Sequence, residues 1–473
     1  MLLGDPTGGS PSSSSPSSWM SAIVAHWRSY CHTHRIFLVV FVLLTIFVLE
    51  KYRSALASTF VTSSDPVVVV PGSSSSPPSP VQEGQHYEPY PEAGAGTAPA
   101  NEEPPKPKQL TPEELLDLSQ QNAGNATLGF HSIKYINMKA RYDREDAMAL
   151  QAYLSGLKID DYPAVEADMI DPVGMPPTHR PGKLKNGEKG CWRAHANIWS
   201  DQTRSRLPPI LILESDAAWD LQIRPIMSLL NAHFITFLNN ISSTPVHDPS
   251  FNSPNNHKVH GKPSYNPSNP ILPNPDDPWL SEHWDLFSIG QCFEYSQDHD
   301  IKLVYDDESV PEGKEYWGQK MGKERVIRKS GGITCTTAYA ISHTGAAKLL
   351  LRSAMDLDNP VDLLMRRLTM SRDLVAYSLF PPVVAQWEYI GGIGMGERGA
   401  QSDINGGKHK DTPENAHMPG WKDVKEKGTI WTTKGHHSDV GFKNMVLKEA
   451  WTEIIGEEPK KFEESLWNPE TND

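Results

Sequence analysis

The sequence predicts an α/β fold in which helices flank a mostly parallel β-sheet. Residues 210–213 are a short continuous apolar run, which is typical of a strand that is buried on both faces. The segment Ile133–Asn137 predicts another strand, and a polar turn and a helix through about Leu157 complete one strand–turn–helix unit. Glu214 and Asp216 follow the apolar run directly, at the end of the strand where open α/β sheets bind their ligands.

Bulk composition bounds the class of protein. The chain has 473 residues, a length that allows up to about three domains or one large α/β domain. Its formal net charge of −14 argues against a general nucleic-acid-binding protein, so no nucleic-acid partner is expected. The four cysteines form no Cys-x-x-Cys pair and no zinc-finger spacing with histidines, so a structural zinc site is not expected.

The N-terminal region predicts a membrane anchor. Residues 1–35 are expected to form a disordered cytosolic tail, and residues 36–49 are an uncharged apolar block between Arg35 and Glu50. A helix of this length spans about 21 Å, less than a bilayer core of about 30 Å, so the flanking basic side chains would have to reach the interface. An uncleaved transmembrane signal anchor is the preferred interpretation, and a cleaved signal peptide and a buried core helix are the alternatives.

Composition divides the rest of the chain into a stalk, a large domain and a tail. Residues 50–129 are Pro/Ser-rich and predict an extended, disordered stalk that contains one short helix. Residues 130–455 are expected to form the globular domain, with a Pro/Asn/Ser-rich insertion at 243–280 that is an active-site lid or a disordered loop. Residues 456–473 form the tail. This order predicts a single-pass type II protein of the Golgi or endoplasmic reticulum membrane, with a lumenal domain.

Two pairs of charged residues are candidate ligands for a metal and a phosphate. Glu214 and Asp216 are spaced so that both carboxylates can reach a hard divalent cation, Mn²⁺ or Mg²⁺, which prefers oxygen ligands. The alternative is a surface turn in which Asp216 caps a helix. Arg141 and Arg144 follow the first strand and match the geometry of a diphosphate. Their alternative role is that of ordinary surface arginines.

Two helices present further candidates. The helix that starts near Cys191 carries Cys191, His195 and Trp199 on one face, which is expected to pack on the sheet. His195 has two candidate roles there, and that of a structural histidine is favoured over a catalytic one. Asp362 lies in the first turn of a later helix, either as a favourable charge at its amino end or as a catalytic carboxylate. Residues 374–386 predict one more strand.

Seven short blocks resemble, in order, the motifs of glycosyltransferase family 25, which includes bacterial lipopolysaccharide galactosyltransferases and collagen galactosyltransferases. The blocks cover about residues 130–405 with one long insertion, and their shared order makes the resemblance specific. Within the family, the chain resembles fungal members with a membrane anchor. The blocks are Ile136-Asn137 with Arg141, Asp143 and Arg144; Gly187-Glu188, Gly190-Cys191 and His195; Leu213 to Ala217; Trp284-Asp285-Leu286 and Gly290; Ala338 to Ser342, Gly345-Ala346 and Leu349; Pro360-Val361-Asp362; and Gln386 with Ser402-Asp403-Ile404.

The resemblance implies a GT-A fold, which is Rossmann-like and binds a nucleotide sugar at the carboxyl ends of its strands. It implies an inverting transfer of a hexose, with galactose as the first candidate, from a UDP-sugar to a hydroxyl of a glycan or glycoprotein. Mn²⁺ or Mg²⁺ would bind Asp216 and Glu214 and stabilise the leaving UDP. The implied donor-binding residues are Asn137, Arg141, Arg144, His195 and Glu214. The candidate general bases are Asp362 first, then Asp403 and Asp285.

Ser215 departs from the family pattern, because it replaces the middle acid of the family's Glu-Asp-Asp motif. Metal binding then rests on Asp216, with Glu214 as a second ligand or a ribose contact. The departure keeps open a non-catalytic lumenal protein of the same fold that binds a carbohydrate or a nucleotide. A glycoside hydrolase, which also needs two carboxylates, is the remaining alternative.

Two further features matter only in an oxidising lumen. Glycosylation sequons occur at Asn125 and Asn240. Cys292 and Cys335 can form a disulfide bridge in such a compartment. Cys191 would then be the odd thiol, buried on its helix.

Overall fold

The computed structural model describes residues 109–241, 270–393, 419–435, 440 and 444–456. The predicted cytosolic tail, anchor and C-terminal tail beyond residue 456 lie outside the described residues, as do most of the stalk and Asp403. Of the helices that fall inside the described ranges, none is long and apolar enough to cross a membrane.

The described residues contain eight α-helices and fifteen β-strands. The helices are α1 (Pro112–Ala123), α2 (Tyr142–Ser155), α3 (Asn186–Ser205), α4 (Ile223–Asn240), α5 (His343–Met355), α6 (Val361–Met370), α7 (Pro419–Lys427) and α8 (Val446–Ile455). The strands are β1 (Ile133–Asn137), β2 (Asp160–Pro163), β3 (Ile210–Glu214), β4 (Ala217–Trp219), β5 (Leu286–Gly290), β6 (Phe293–Glu294), β7 (Lys302–Asp306), β8 (Glu315–Tyr316), β9 (Gln319–Lys320), β10 (Glu324–Lys329), β11 (Ile333–Thr334), β12 (Ala338–Ile341), β13 (Ala376–Phe380), β14 (Val384–Tyr389) and β15 (Trp431–Thr433).

Eight strands form the central sheet in the order β2-β1-β3-β12-β5-β13-β10-β7. Six of them point the same way, because only β12 and β10 run antiparallel to both of their neighbours. The predicted α/β fold with a mostly parallel, helix-flanked sheet is therefore confirmed. β1 and β3 are parallel neighbours, so their carboxyl ends lie side by side at one edge of the sheet. A separate three-stranded sheet joins β4, β14 and β15.

Strand β3 lies at the centre of the fold and is buried on both faces, as predicted. Ile210 and Ile212 pack into an apolar cluster with α3, α5 and α6, whereas Leu211 and Leu213 pack into a second cluster with α1 and α4. This division follows from the period of two along a strand, which sends successive side chains to opposite faces. Each fully buried Leu or Ile contributes about 1.5–3 kcal/mol, so a polar residue anywhere in this run would be costly.

Helix α1 is the short helix predicted within the stalk. Thr111 caps it: its Oγ1 accepts from the backbone N–H of Glu114 at 3.2 Å, and its own N–H donates to the Glu114 carboxylate at 2.8 Å. The helix packs against α4, and Ala123 at its end is fully buried. The last part of the segment 50–129 is thus attached to the domain rather than extended.

Residues 278–280, at the end of the predicted insertion, are buried in the core. Trp279 is fully buried, and its indole N–H donates to the carbonyl of Leu128 at 2.7 Å. The indole of Trp284 donates in turn to the carbonyl of Trp279 at 2.7 Å. A lid or a disordered loop therefore does not describe these residues, because a buried tryptophan fixes them to the domain.

The strand predicted over residues 374–386 is two strands. β13 ends at Phe380, a cis peptide bond joins Phe380 to Pro381, and β14 begins at Val384. β13 belongs to the central sheet, whereas β14 pairs with β4 and β15. The prediction of one strand is wrong here because Pro381 and Pro382 have no N–H to donate to a continuing ladder.

Replacing Trp279 by Ala should destabilise the domain. Trp279→Ala removes a fully buried ring and the hydrogen bond to Leu128, so we expect the free energy of unfolding to fall by about 3–5 kcal/mol. Urea denaturation followed by circular dichroism measures the change. Leu272, 53 % exposed in the same segment, is the matched control, and Leu272→Ala should change stability by about 0.5 kcal/mol or less. Equal small effects for both variants would show that the segment is not anchored.

Candidate active site

A cavity of about 250 Å³ opens at the carboxyl ends of β1 and β3. Its walls come from the ends of these two strands, from one face of α3 and from residues 164–167. This is the position at which open α/β sheets bind ligands. The cavity brings together four of the predicted site residues, which are Arg144, His195, Glu214 and Asp216, and the side chains of Cys191 and Ser215 also line it.

Asp216 is the most tightly held side chain of the cavity. Its Oδ2 accepts from Gln386 Nε2 at 2.8 Å and lies 3.0 Å from Arg144 Nη2. Its Oδ1 is buried and has no hydrogen-bond partner. A three-residue strand, β4, follows Asp216 instead of a helix, so the alternative of a helix cap is excluded. One carboxylate oxygen is thus fixed by protein donors, and the other is a buried acceptor without a donor.

Ser215 lies beside the same guanidinium. Its hydroxyl is buried and accepts from Arg144 Nη1 at 3.4 Å, a long hydrogen bond. A neutral acceptor stands here where the family pattern places an acid. The cluster of Glu214, Ser215 and Asp216 therefore carries one negative charge fewer than an all-acid motif would.

Glu214 ends β3 and is held by Thr336, which lies between β11 and β12. Thr336 Oγ1 donates to its Oε1 at 2.5 Å, and His195 Nε2 lies 4.0 Å from the same oxygen. Burial and the negative charge of Asp216 raise the pKa of Glu214 to about 7, against the opposing hydrogen bond from Thr336. The carboxyl group is thus in a site that favours either a proton or a cation beside it.

His195 is part of a buried hydrogen-bond network and also lines the cavity. Its Nδ1 lies 2.8 Å from the hydroxyl of Tyr339, which accepts from Trp199 Nε1 at 3.0 Å. Burial lowers the pKa of His195 to about 3, so the imidazole is neutral near pH 7. Burial and the surrounding carboxylates raise the pKa of the Cys191 thiol well above its ordinary value. The predicted packing face of α3 is confirmed, and its two polar members reach the cavity.

Arg141 and Asn137 lie near the cavity but have different surroundings from Arg144. Arg141 is buried and makes a two-fold contact with Asp143, with Nε–Oδ1 and Nη2–Oδ2 distances of 2.8 Å. Burial alone would raise the pKa of Asp143, but the hydrogen bonds and charge of Arg141 outweigh it and hold that pKa low. Asn137, at the end of β1, is 4 % exposed and its Oδ1 has no hydrogen-bond partner. Of the two predicted arginines, Arg144 is the one that lines the cavity.

The three candidate bases lie in three different situations. Asp362 is partly buried at the start of α6, where its Oδ2 accepts from the backbone N–H of Cys335 at 3.0 Å and its charge raises the pKa of Glu214. Asp285 is fully buried, and its Oδ2 accepts from Lys348 Nζ at 2.5 Å and from the N–H of Val375 at 2.8 Å. Asp403 lies outside the described residues. Only Asp362 therefore has a described position beside the cavity cluster.

A disulfide bond joins Cys292 to Cys335, as expected for an oxidising compartment, with a Cα–Cα distance of 5.5 Å. Cys191 is the free cysteine among the described residues. Cys292 lines a second cavity of about 220 Å³, which also exposes the rings of Phe293 and Trp317. The backbone N–H of Cys335 contacts Asp362, and its neighbour Thr336 contacts Glu214. The disulfide bond therefore joins Cys292, which lines the second cavity, to the segment that contacts these two carboxylates.

The two sequons occupy helix ends. Asn125 follows α1 and is partly buried; its Oδ1 accepts from the N–H of Thr127 at 2.8 Å. Asn240 is the last residue of α4, and Ser242, the third residue of its sequon, lies outside the described residues. Neither asparagine lines a cavity described above.

Sequence reasoning did not assign a role to Thr336 or Gln386, which hold Glu214 and Asp216. Both residues are far from the acidic motif in sequence, so local spacing carries no sign of the contacts. Their positions relative to the strands could have indicated such a role, because Thr336 lies just before a strand and Gln386 lies within one. Cys191 was assigned to packing alone, although it also lines the cavity.

Comparisons with known proteins agree with this geometry. Residues 131–365, just under half of the chain, match the family model described as glycosyltransferase family 25 (LPS biosynthesis protein). Procollagen galactosyltransferase 2 of Mus musculus is 28 % identical over 117 residues, which are 22 % of this chain and 18 % of that protein. The Homo sapiens protein of the same name is 27 % identical over 110 residues, 20 % of this chain and 17 % of that protein.

A third relative, a glycosyltransferase 25 family member of Anopheles gambiae, is 28 % identical over 105 residues, 20 % of this chain and 18 % of that protein. The chain thus spans less than a fifth of the length of these curated relatives. The family match covers the cavity, both acids that line it and the helix that carries Asp362. The part of the chain that forms the cavity is therefore similar to glycosyltransferase family 25.

Proposed function

We propose that the chain is an inverting glycosyltransferase that moves a hexose from a UDP-sugar to a hydroxyl of a glycan or glycoprotein. Galactose is the first candidate, because two of the relatives are named as galactosyltransferases. The observation that carries the proposal is the pairing of Arg144 and Asp216 in a cavity at the strand carboxyl ends. The guanidinium of Arg144 would bind the diphosphate of the donor, and the carboxylate of Asp216 would bind a cation.

The donor set fits Mn²⁺ or Mg²⁺. Asp216 Oδ1 is a buried oxygen without a hydrogen-bond donor, and hard cations prefer carboxylate oxygen. Glu214 is the second ligand, because it lines the same cavity as Asp216 and lies two residues before it. Burial and the charge of Asp216 raise the pKa of Glu214, and a neighbouring cation would offset both effects. Such a cation, when bound, supplies Lewis-acid stabilisation of the leaving diphosphate.

The chain's own residues bind and orient the donor. Arg144 lines the cavity beside Asp216 and Ser215, where its positive charge would attract the phosphate oxygens of the donor. The unpaired amide oxygen of Asn137 offers an acceptor to a ribose or base N–H at the end of β1. Arg141 supports this region through Asp143.

Asp362 is the proposed general base for the acceptor hydroxyl. Backbone N–H groups of Cys335 and Leu363 donate to its two oxygens, at 3.0 and 2.7 Å, and hold the carboxylate in one orientation. The contacts of residues 335 and 336 place it near both Glu214 and the disulfide beside the second cavity. A base at that junction can take a proton from an acceptor that approaches from the second cavity.

The second cavity is the proposed acceptor subsite. Phe293 and Trp317 are 55 % and 45 % exposed and both line this cavity, so both rings are accessible to a ligand there. Glu294 and Arg328 supply polar groups beneath them, with the Arg328 guanidinium 5.9 Å from the Trp317 ring. Aromatic faces next to a few fixed polar groups are suited to a sugar ring.

The proposed location is the Golgi or endoplasmic reticulum lumen, with residues 36–49 as a type II anchor. The disulfide between Cys292 and Cys335 supports it, because structural disulfides persist in the secretory pathway and are rare in the cytosol. In that lumen the sequons at Asn125 and Asn240 would be accessible to glycosylation.

A non-catalytic protein that binds the same ligands is the second candidate. Ser215 favours it, because loss of one acid weakens the hard-cation site. Mn²⁺-dependent transfer from a UDP-sugar by the purified full-length chain discriminates between the two candidates.

Asp216→Asn should abolish metal-dependent donor binding. The amide keeps an oxygen that can accept from Gln386 or Arg144 but removes the charge, so turnover should fall at least about 100-fold. Thermal stabilisation by UDP-galactose with Mn²⁺, measured by scanning fluorimetry, should disappear. The melting temperature without ligand should fall as well, because the largely buried guanidinium of Arg144 loses its charged partner. Asp146→Asn, an exposed substitution on α2, is the control and should behave as wild type. Undiminished turnover of Asp216→Asn would exclude the metal assignment.

Asp362→Asn should lower kcat by about 10²–10⁴-fold, because a general base contributes that much. The amide oxygen can still accept one of the two N–H bonds, so donor affinity should stay within about 2-fold of wild type. Steady-state kinetics and UDP-galactose titrations give the two quantities. Equal losses of kcat and of donor affinity would instead indicate a structural role for Asp362. A larger loss of kcat in Asp403→Asn than in Asp362→Asn would favour Asp403 as the general base.

Trp317→Ala should raise the KM for the acceptor about 10-fold, the effect of losing an aromatic contact of about 1.4 kcal/mol. The KM for the UDP-sugar and the kcat at saturating acceptor should be nearly unchanged. Trp317→Phe keeps a ring and should recover most of the affinity. A rise in the donor KM alone would place the acceptor elsewhere.

A further inference from the structure

Three chemically different side chains of the cavity meet at one point. The Cys191 sulfur, a ring nitrogen of His195 and a carboxylate oxygen of Glu214 all lie within 4.8 Å of one another. Cys191 and His195 are four residues apart on α3 and so share a face, and Glu214 ends the adjacent strand β3. We propose that this Cys–His–Glu triad binds a borderline-soft divalent cation such as Zn²⁺, at a site that shares Glu214 with the proposed hard-cation site of Asp216.

The distances suit a small tetrahedral ion. His195 Nε2 and Glu214 Oε1 are 4.0 Å apart, and Nδ1 is already engaged with Tyr339, so Nε2 is the nitrogen that faces the carboxylate. Zinc binds nitrogen and oxygen at about 2.0–2.1 Å and sulfur at about 2.3 Å, which places tetrahedral ligands a little over 3 Å apart. The three ligands therefore need to close by at most about 1–1.5 Å, a change within reach of side-chain torsions.

Two of the three ligands have a hydrogen-bonded support. The Tyr339 hydroxyl contacts His195 Nδ1 and is itself fixed by the indole of Trp199. Thr336 Oγ1 donates to Glu214 Oε1 at 2.5 Å. Such outer partners orient metal-binding imidazoles and carboxylates. The fourth position opens to the cavity, so water or a ligand oxygen can complete the coordination.

The charges balance within the triad. A thiolate and a carboxylate together neutralise a dication, and imidazole binds a metal in its neutral form. Asp216 and Asp362 lie close enough to affect Cys191 electrostatically, and their negative potential also attracts a cation. The sulfur sets the preference, because thiolate ligands favour Zn²⁺ over Mg²⁺ and Mn²⁺. The site is an open triad and so carries none of the paired Cys/His spacing of a structural zinc motif.

Titration of the full-length, disulfide-intact protein with Co²⁺, a spectroscopic substitute for Zn²⁺, tests the proposal. We expect the visible absorption bands of tetrahedral Co²⁺ and a near-ultraviolet sulfur-to-cobalt charge-transfer band, both removed by added Zn²⁺. Cys191→Ser should abolish the charge-transfer band. Cys31→Ser, at the chain's other cysteine outside the disulfide, is the matched control and should retain it.

Two more variants separate ligation from folding. Glu214→Gln keeps an acceptor for Thr336 but should weaken Co²⁺ binding strongly, and Tyr339→Phe, which keeps the ring, should weaken it about 10–100-fold. Circular dichroism confirms that each variant is folded. A charge-transfer band that persists in Cys191→Ser, or no band in the wild type at excess Co²⁺, would overturn the proposal. The readout uses no nucleotide sugar, so failure of the transferase proposal leaves this result unaffected.

Discussion

The carboxylate of Asp216 is the contact on which the candidate site depends. Its Oδ2 meets Arg144 from α2 and Gln386 from β14, and its backbone carbonyl accepts from the N–H of Trp387 at 2.8 Å. The turn after β3 is thereby tied to the first strand–helix unit and to the small sheet. Because both donors bind the same side-chain oxygen, the other one stays without a donor. The contacts of Asp216 Oδ2 thus hold the site together and leave Oδ1 as an acceptor for a cation.

The electrostatics of the cavity follow from that arrangement. Glu214 and Asp216 are separated by one residue and share one nearby guanidinium, so the cluster holds more negative than positive charge. Burial prevents water from screening the excess, and the pKa of Glu214 rises to about 7 in consequence. A divalent cation relieves the same repulsion as a proton does. The site therefore favours a positive ligand, irrespective of which cation occupies it.

The sequence was informative where local pattern and burial coincide. The apolar run of β3 has no polar position on either face, so it predicts a central strand with a cluster on each side. The contacts of Gln386 with Asp216 depend on the register between β14 and β4, which are far apart in the chain, and spacing does not encode it. Trp279 lies in a Pro-rich stretch whose composition indicates disorder, but one buried ring outweighs that composition. Sequence patterns report local periodicity, whereas these side chains are placed by tertiary contacts.

In the two proposed metal sites, the residue at position 215 would influence which cation the cavity suits. An acid at this position would add a second carboxylate beside Arg144 and strengthen an all-oxygen site for Mn²⁺ or Mg²⁺. With a hydroxyl there, the oxygen ligands reduce to Asp216 and Glu214, while Cys191 and His195 remain unchanged beside Glu214. The balance of ligands moves from hard oxygen toward sulfur and nitrogen. Glu214 belongs to both sets of ligands, so a cation bound by one set would leave the other set with one ligand fewer. The serine at position 215 would thus affect which cation binds anywhere in the cavity.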